Sequence, residues 1–165
     1  MTQRCDTVLP AKSWDPTLST DEILIDYDRR HRRRIVLKTQ SGQDILLDLP
    51  QATRLRDGDG LQLQSGAIIR VRARPEPLAE IHAHSDAELI RIAWHLGNRH
   101  LLVQLLRDKI RIRQDHVIEA MVEQLGGHID RIEAPFDPEA GAYAGGHSHN
   151  HDNEEEDHAH SHPHV

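Results

Sequence analysis

Cysteine is almost missing from this chain of 165 residues, with Cys5 standing alone. One thiol can close neither a disulfide nor a cysteine-type zinc site within a single chain. Aromatic residues make up only 3%, so a core has to be built from Leu, Ile, Val and Ala. No stretch approaches the roughly 20 apolar residues that span a bilayer. The opening MTQRCDTVLPAKSWDP has no apolar centre of signal-peptide length. These absences predict a soluble intracellular protein without membrane contact, and the cysteine count agrees with a reducing compartment. A basic balance is missing too. The net charge is -7, to which Asp152, Glu154, Glu155, Glu156 and Asp157 contribute heavily, and such a chain is not expected to bind nucleic acid.

What is present divides into three parts. Between Asp21 and Arg74 lie five short runs rich in Leu or β-branched residues: EILIDY (22–27), RRIVLKT (33–39), DILLDL (44–49), GLQLQ (60–64) and AIIRVRA (67–73). Ser41-Gly42, Asp57-Gly58-Asp59-Gly60 and Ser65-Gly66 punctuate them as turns. The prolines of RPEP (74–77) mark the end of this all-β unit. Beyond it, LAEIHAH (78–84) alternates as a strand, and Ser85 with Glu88 forms a capping box. Leu89, Ile92, Ala93 and Leu96 then recur at helical spacing until Gly97. A hairpin is expected from HLLVQLL (100–106), Arg107-Asp108 and KIRIR (109–113). Asp115 caps a second expected helix with the stripe Val117, Ile118, Met121, Val122 and Leu125, ended by Gly126-Gly127, and HIDRIEA (128–134) supplies a last strand. The order βαββαβ is the ferredoxin-like arrangement. The predicted class is therefore α+β: an all-β domain over 1–74, a ferredoxin-like domain over 75–140 and a tail over 141–165 too polar to fold alone.

Seven of the 14 histidines fall in the last 19 residues, HSHNHDNEEEDHAHSHPHV. Neutral imidazole suits Ni, Zn, Cu and Fe. Alternate residues of an extended chain lie on one side, so His147, His149 and His151, like His158, His160, His162 and His164, can converge on an ion. Purification tags are usually uninterrupted histidine runs, whereas these alternate around an acidic block. In the folded body, His31 lies in RRHRRR (29–34), which reads as a solvated charge cluster carried between two strands. RNA contact through these arginines is the weaker alternative, because stacking aromatics are scarce. His82 and His84 share a strand face and make a two-histidine site geometrically possible, although exposed strand-end residues are the simpler reading. His95 reads as a partly exposed helix residue and His128 as the polar start of a strand. His100 follows Gly97-Asn98-Arg99 in a loop held by two rigid elements. One histidine is not a site, so its local reading is structural unless a two-fold dimer brings two copies to one axis.

Three stretches are more specific: WHLGNRH (94–100), QDHVIEAMVEQLGG (114–127) and PFDPEAGAYAGGHSHNH (135–151). Together with the histidine tail they resemble the UreE family of urease accessory proteins. The resemblance implies a cytoplasmic nickel metallochaperone, with a peptide-binding-like β domain followed by a ferredoxin-like metal-binding domain through which the chain forms a homodimer. It implies that His100, ending the GNRH motif, meets its symmetry mate at a central metal site. Some relatives carry two further histidines before the second helix; here the later position is His116, but the earlier is Gln114. The tail histidines can complete the central site or hold more ions. The implied task is delivery of Ni²⁺ to the urease apoprotein with its accessory proteins, including the GTPase. Zn²⁺ or Cu²⁺ should bind the same ligands. No nucleophile–base pair stands out, so an enzyme is not expected. The alternative is a general Ni/Zn/Cu buffer, which needs the tail but no ordered dimer site.

Overall fold

The structure is a computed structural model and describes residues 2–141. It is α+β, as the sequence predicts. A first sheet contains β1 (Gln3–Leu9), β2 (Ser19–Ile25), β3 (His31–Lys38), β4 (Asp44–Arg54), β5 (Gly60–Leu63) and β6 (Ile68–Ala73), in the order β2-β6-β5-β1-β4-β3. Along β6 buried residues alternate with half-buried ones, which places Ile69, Val71 and Ala73 on the inner face. The edge strands β2 and β3 send Ile23 and Leu37 into the same core cluster as Ile45, Leu47 and Leu61 of the inner strands. The sheet is thus curled until its edges approach, and beside them Gln40 N donates to the Glu22 carbonyl at 2.8 Å.

The sequence reading missed β1, which lies at the centre of this sheet. It is parallel to β4 and antiparallel to β5. Its sequence QRCDTVL buries fully only Cys5, and the rest is polar or partly exposed, so no hydrophobic alternation announces it. Backbone pairing on both sides holds it in place. Strand boundaries also move. β3 begins at His31, so His31 and Arg32 pair with Arg54 and Thr53 instead of forming a loop. Arg29 and His31 to Arg34 are exposed, as the solvated reading of the arginine run expects; Arg30 is the exception, with only 1% of it exposed.

The second sheet is built from β7 (Pro75–His82), β8 (Gln104–Leu105), β9 (Ile110–Arg113) and β10 (His128–Pro135), in the order β10-β7-β9-β8 with antiparallel neighbours. Helices α1 (Asp86–Asn98) and α2 (His116–Gln124) complete the ferredoxin-like order. β7 starts inside RPEP, three residues earlier than predicted. Its β9 pairing begins only at Leu78, so both prolines lie where the strand has a single neighbour. The expected hairpin strand over 100–106 shrinks to two residues.

Ser85 caps α1 by accepting from Glu88 N, while Glu88 Oε2 accepts from His84 N at 3.1 Å. Ile92 and Leu96 are buried against Ala79, Ile81, Ile110 and Ile112 of the sheet, with Leu89 and Ala93 packed beside them. In α2, Ile118 and Val122 are buried and Met121 and Leu125 partly so. Val117 departs from the predicted stripe, since it is outside this cluster and 57% exposed on the first turn.

A third cluster of Tyr27, Leu78, Ala134 and Phe136 joins the two sheets. Arg30 Nη2 donates to the Phe136 carbonyl, whereas its Nε and Nη1 have no partner. Burial pushes this guanidinium's pKa below its ordinary value. An ion pair between Arg113 and Asp28 at 2.9 Å and a bond from Tyr27 N to Glu76 at 3.0 Å tie the same junction.

Candidate metal centre

His100 is positioned by the way α1 ends. The helix runs past Gly97, which was expected to stop it, to Asn98. Arg99 N donates to the Leu96 carbonyl at 3.2 Å and His100 N to that of Gly97 at 3.1 Å. His100 then takes the left-handed conformation, with φ of 56°. That position ordinarily selects glycine, because a Cβ there costs roughly 1–2 kcal/mol. The following Leu101 and Val103 pack into the second sheet's core, fixing the chain on both sides of the turn.

His100 opens onto a cleft of about 250 Å³ that it shares with Leu101, Leu102, Ile112, Arg113, Gln114, Asp115 and Ile118. The cleft brings the end of α1 to the start of α2. Gln114, standing where a further histidine was sought, donates its side-chain amide to the Leu78 carbonyl at 3.2 Å. It thus ties the segment to β7. Asp115 caps α2 by accepting from Val117 N and Ile118 N at 2.9 and 3.2 Å. His116 is exposed at the first residue of the helix. A helix N-terminus disfavours positive charge, so His116 would hold a cation only with help from other donors. Leu102 and Val117 leave apolar surface exposed in these same segments.

The other histidines fall into separate settings. His31 lines a larger cleft of about 590 Å³ with Tyr27, Arg54 and Arg56. The His95 ring stands edge-on to Trp94 at 5.0 Å. His82 Nε2 contacts Glu80 at 3.1 Å and Asp130 at 3.5 Å. Burial alone would raise the Glu80 pKa. The hydrogen bond from Arg111 and the charges of Lys109 and Arg111 outweigh it, holding that carboxyl below its ordinary value. His82 and His84, which the sequence places on one strand face, do not form the two-histidine site it left possible; His84 is exposed, as expected, and meets His128, Nε2 to Nε2 at 2.7 Å. Strand register would have found this contact: His82 lies opposite His128, and His84 is two residues further on.

Among the described residues no group of three His, Cys, Asp or Glu side chains is arranged to hold a metal ion. Cys5 is buried in the first sheet, where burial raises its thiol pKa and disfavours the thiolate that binds metals. The remaining predicted ligands, His147, His149, His151, His158, His160, His162 and His164, lie outside the described residues. No helix among the described residues is long and apolar enough to cross a membrane.

The model of the UreE urease accessory protein N-terminal domain matches residues 5–74, and that of the C-terminal domain matches 76–164. The chain is 52% identical to a urease accessory protein UreE of Bradyrhizobium sp. (strain ORS 278) over 141 residues, 86% of this chain and 67% of the relative. A protein of the same name from Beijerinckia indica is 49% identical over 86% of this chain and 82% of its own length. One from Rhodobacter capsulatus is 41% identical over 88% and 89% respectively.

Proposed function

Because this chain belongs to the UreE family of urease accessory proteins, we propose that it carries Ni²⁺ as cargo and delivers it to the urease apoprotein. The observation that carries this reading is His100, held in a left-handed turn and facing an open cleft. One such imidazole is half a site. In a homodimer formed through the second sheet's domain, two copies of His100 would meet on the axis, with the exposed Leu102 and Val117 available for the contact. The working units are then 1–74, 75–140 and the histidine tail.

Two imidazoles at an exposed axis hold nickel without enclosing it. Incoming ligands can join before the outgoing ones leave, which is what transfer to a partner requires. No thiolate takes part, so the ion is not trapped by a soft ligand. Cu²⁺ should bind these ligands more tightly than Ni²⁺, and Zn²⁺ should compete. Specificity therefore comes from metal supply and from docking to the urease apoprotein, its accessory proteins and their GTPase in the cytoplasm. The role is that of a carrier, with no reaction catalysed.

A urease activation assay at limiting nickel tests this reading. It compares intact protein, His100→Ala and a chain cut after Gly146. The cut should remove most bound nickel by count, because it removes seven histidines. His100→Ala should lower the nickel count only modestly yet sharply reduce activation. If His100→Ala activates like the intact protein while the cut chain fails, the tail delivers the metal and His100 does not. A general buffer would leave activation insensitive to His100→Ala, since it needs no ordered dimer site.

A further inference from the structure

The contact between His84 and His128 is not part of the His100 cleft. His84 immediately precedes the cap of α1 and His100 follows its last turn. A 13-residue helix is about 20 Å long, so one ion cannot be shared between its ends. We propose that His84 and His128 form a second metal site, taking a late divalent ion such as Ni²⁺, Zn²⁺ or Cu²⁺ through their Nε2 atoms.

The geometry favours an ion between the rings. Their Nε2 atoms face one another at 2.7 Å, with centroids 4.6 Å apart and planes at 89°. Two imidazoles on one ion at about 2.0–2.1 Å have nitrogens roughly 3.0–3.4 Å apart. The rings need to open by only a few tenths of an ångström, and both are exposed. Without an ion, the pair offers one solvent-exposed hydrogen bond, worth only about 1 kcal/mol.

Both ligands are carried by rigid backbone. His84 N is held by Glu88 Oε2 as α1 begins. His128 opens β10 directly after Gly127, where a Cβ would come within 2.6 Å of Val122 Cγ1 and 3.0 Å of Ile92 Cδ1. The close packing of Gly127 thus fixes the point from which His128 projects. The Glu88 carboxylate lies between the two segments, 3.8 Å from the point a Cβ on Gly126 would occupy. His82, the cross-strand partner of His128, is engaged by Glu80 and Asp130 and so does not supply a third ring. The other coordination positions fall to water or to a ligand brought by another molecule. Such a site binds weakly and exchanges quickly. It stands independently of the role given to His100.

The test uses the full chain with ¹⁵N-labelled histidine and Zn²⁺ as a diamagnetic probe. Ring ¹H–¹⁵N spectra should show the Nε2 signals of His84 and His128 shifting together. In His84→Ala, the His128 signal should require at least about tenfold more zinc, since losing even an outer partner of a ligand costs that much. His100→Ala should leave the paired response unchanged, which separates this site from the proposed delivery site. The proposal is overturned if His128 responds identically in His84→Ala. It is equally overturned if neither ring shifts at zinc concentrations well beyond those that saturate the tail.

Discussion

The two sheets each bury one face, but they close it by different means. The first curls until Ile23 and Leu37, from opposite edge strands, enter one core with Leu47. The second stays open and is covered on one side by α1 and α2, leaving Glu80, His82, Lys109, Arg111 and Asp130 interacting on its other face. Histidines follow the same division. Of those in residues 2–141, only His31 belongs to the first sheet. A sheet that closes on itself has little room to adapt, whereas a sheet with one bare face and two helix ends offers several places for ligands. The first unit is closed around its core, whereas the described histidines other than His31 gather in the second.

Core truncation gives the largest test of that contrast. Leu47 is fully buried, and Leu47→Ala should destabilise by about 2–5 kcal/mol. Denaturant unfolding would measure this, and nickel bound per folded molecule should remain unchanged. A fall in metal stoichiometry in the folded fraction would show that the first unit contributes to the sites.

A smaller effect is expected from the charged face. The Glu80 carboxyl has its pKa held below the ordinary value, because its bond to Arg111 and the nearby charges overcome burial. Such a group stabilises the fold above the unfolded pKa of about 4.3 and loses that contribution as pH falls through the folded value. Glu80→Gln should therefore lower the melting temperature near pH 7. The gap from the intact protein should narrow progressively below about pH 4.3. A gap independent of pH would show that Glu80 acts by packing, not by charge.

The smallest effect separates stability from function at one residue. His100→Gly should relieve the left-handed strain and raise stability by about 1 kcal/mol or less, since glycine's greater unfolded-state freedom offsets part of the gain. His100→Ala retains a Cβ and should bring no such gain. Thermal unfolding of the two variants beside their nickel binding distinguishes the outcomes. Equal melting temperatures for both would remove strain as the reason to regard His100 as special.

Much of this organisation was legible in the sequence, for reasons that also explain the misses. Strands with a clean apolar alternation were found, as were both helices, whose caps Ser85 and Asp115 bind the backbone as predicted. The central strand β1 was not, because its order comes from neighbours that only the folded chain supplies. Arg30 was read as solvated because charge in sequence says nothing about a carbonyl more than a hundred residues away. For the candidate site, the motif singles out His100 but does not contain its left-handed backbone. The pairing of His84 with His128 needed strand register, which spacing along the chain does not contain.

Arg30 also bears on how the chain matures. Its carbonyl partner, Phe136, lies 106 residues later. While the polypeptide emerges from its N-terminus, every strand of the first sheet can exist before that partner does. Until then the guanidinium stays hydrated, and the surface around Tyr27 and Leu78 remains open. Burial of Arg30 is consequently a late event that closes a long loop. Phe136, just beyond the final strand, acts as a latch on the first sheet, so a nascent chain halted before it would carry an unsealed junction.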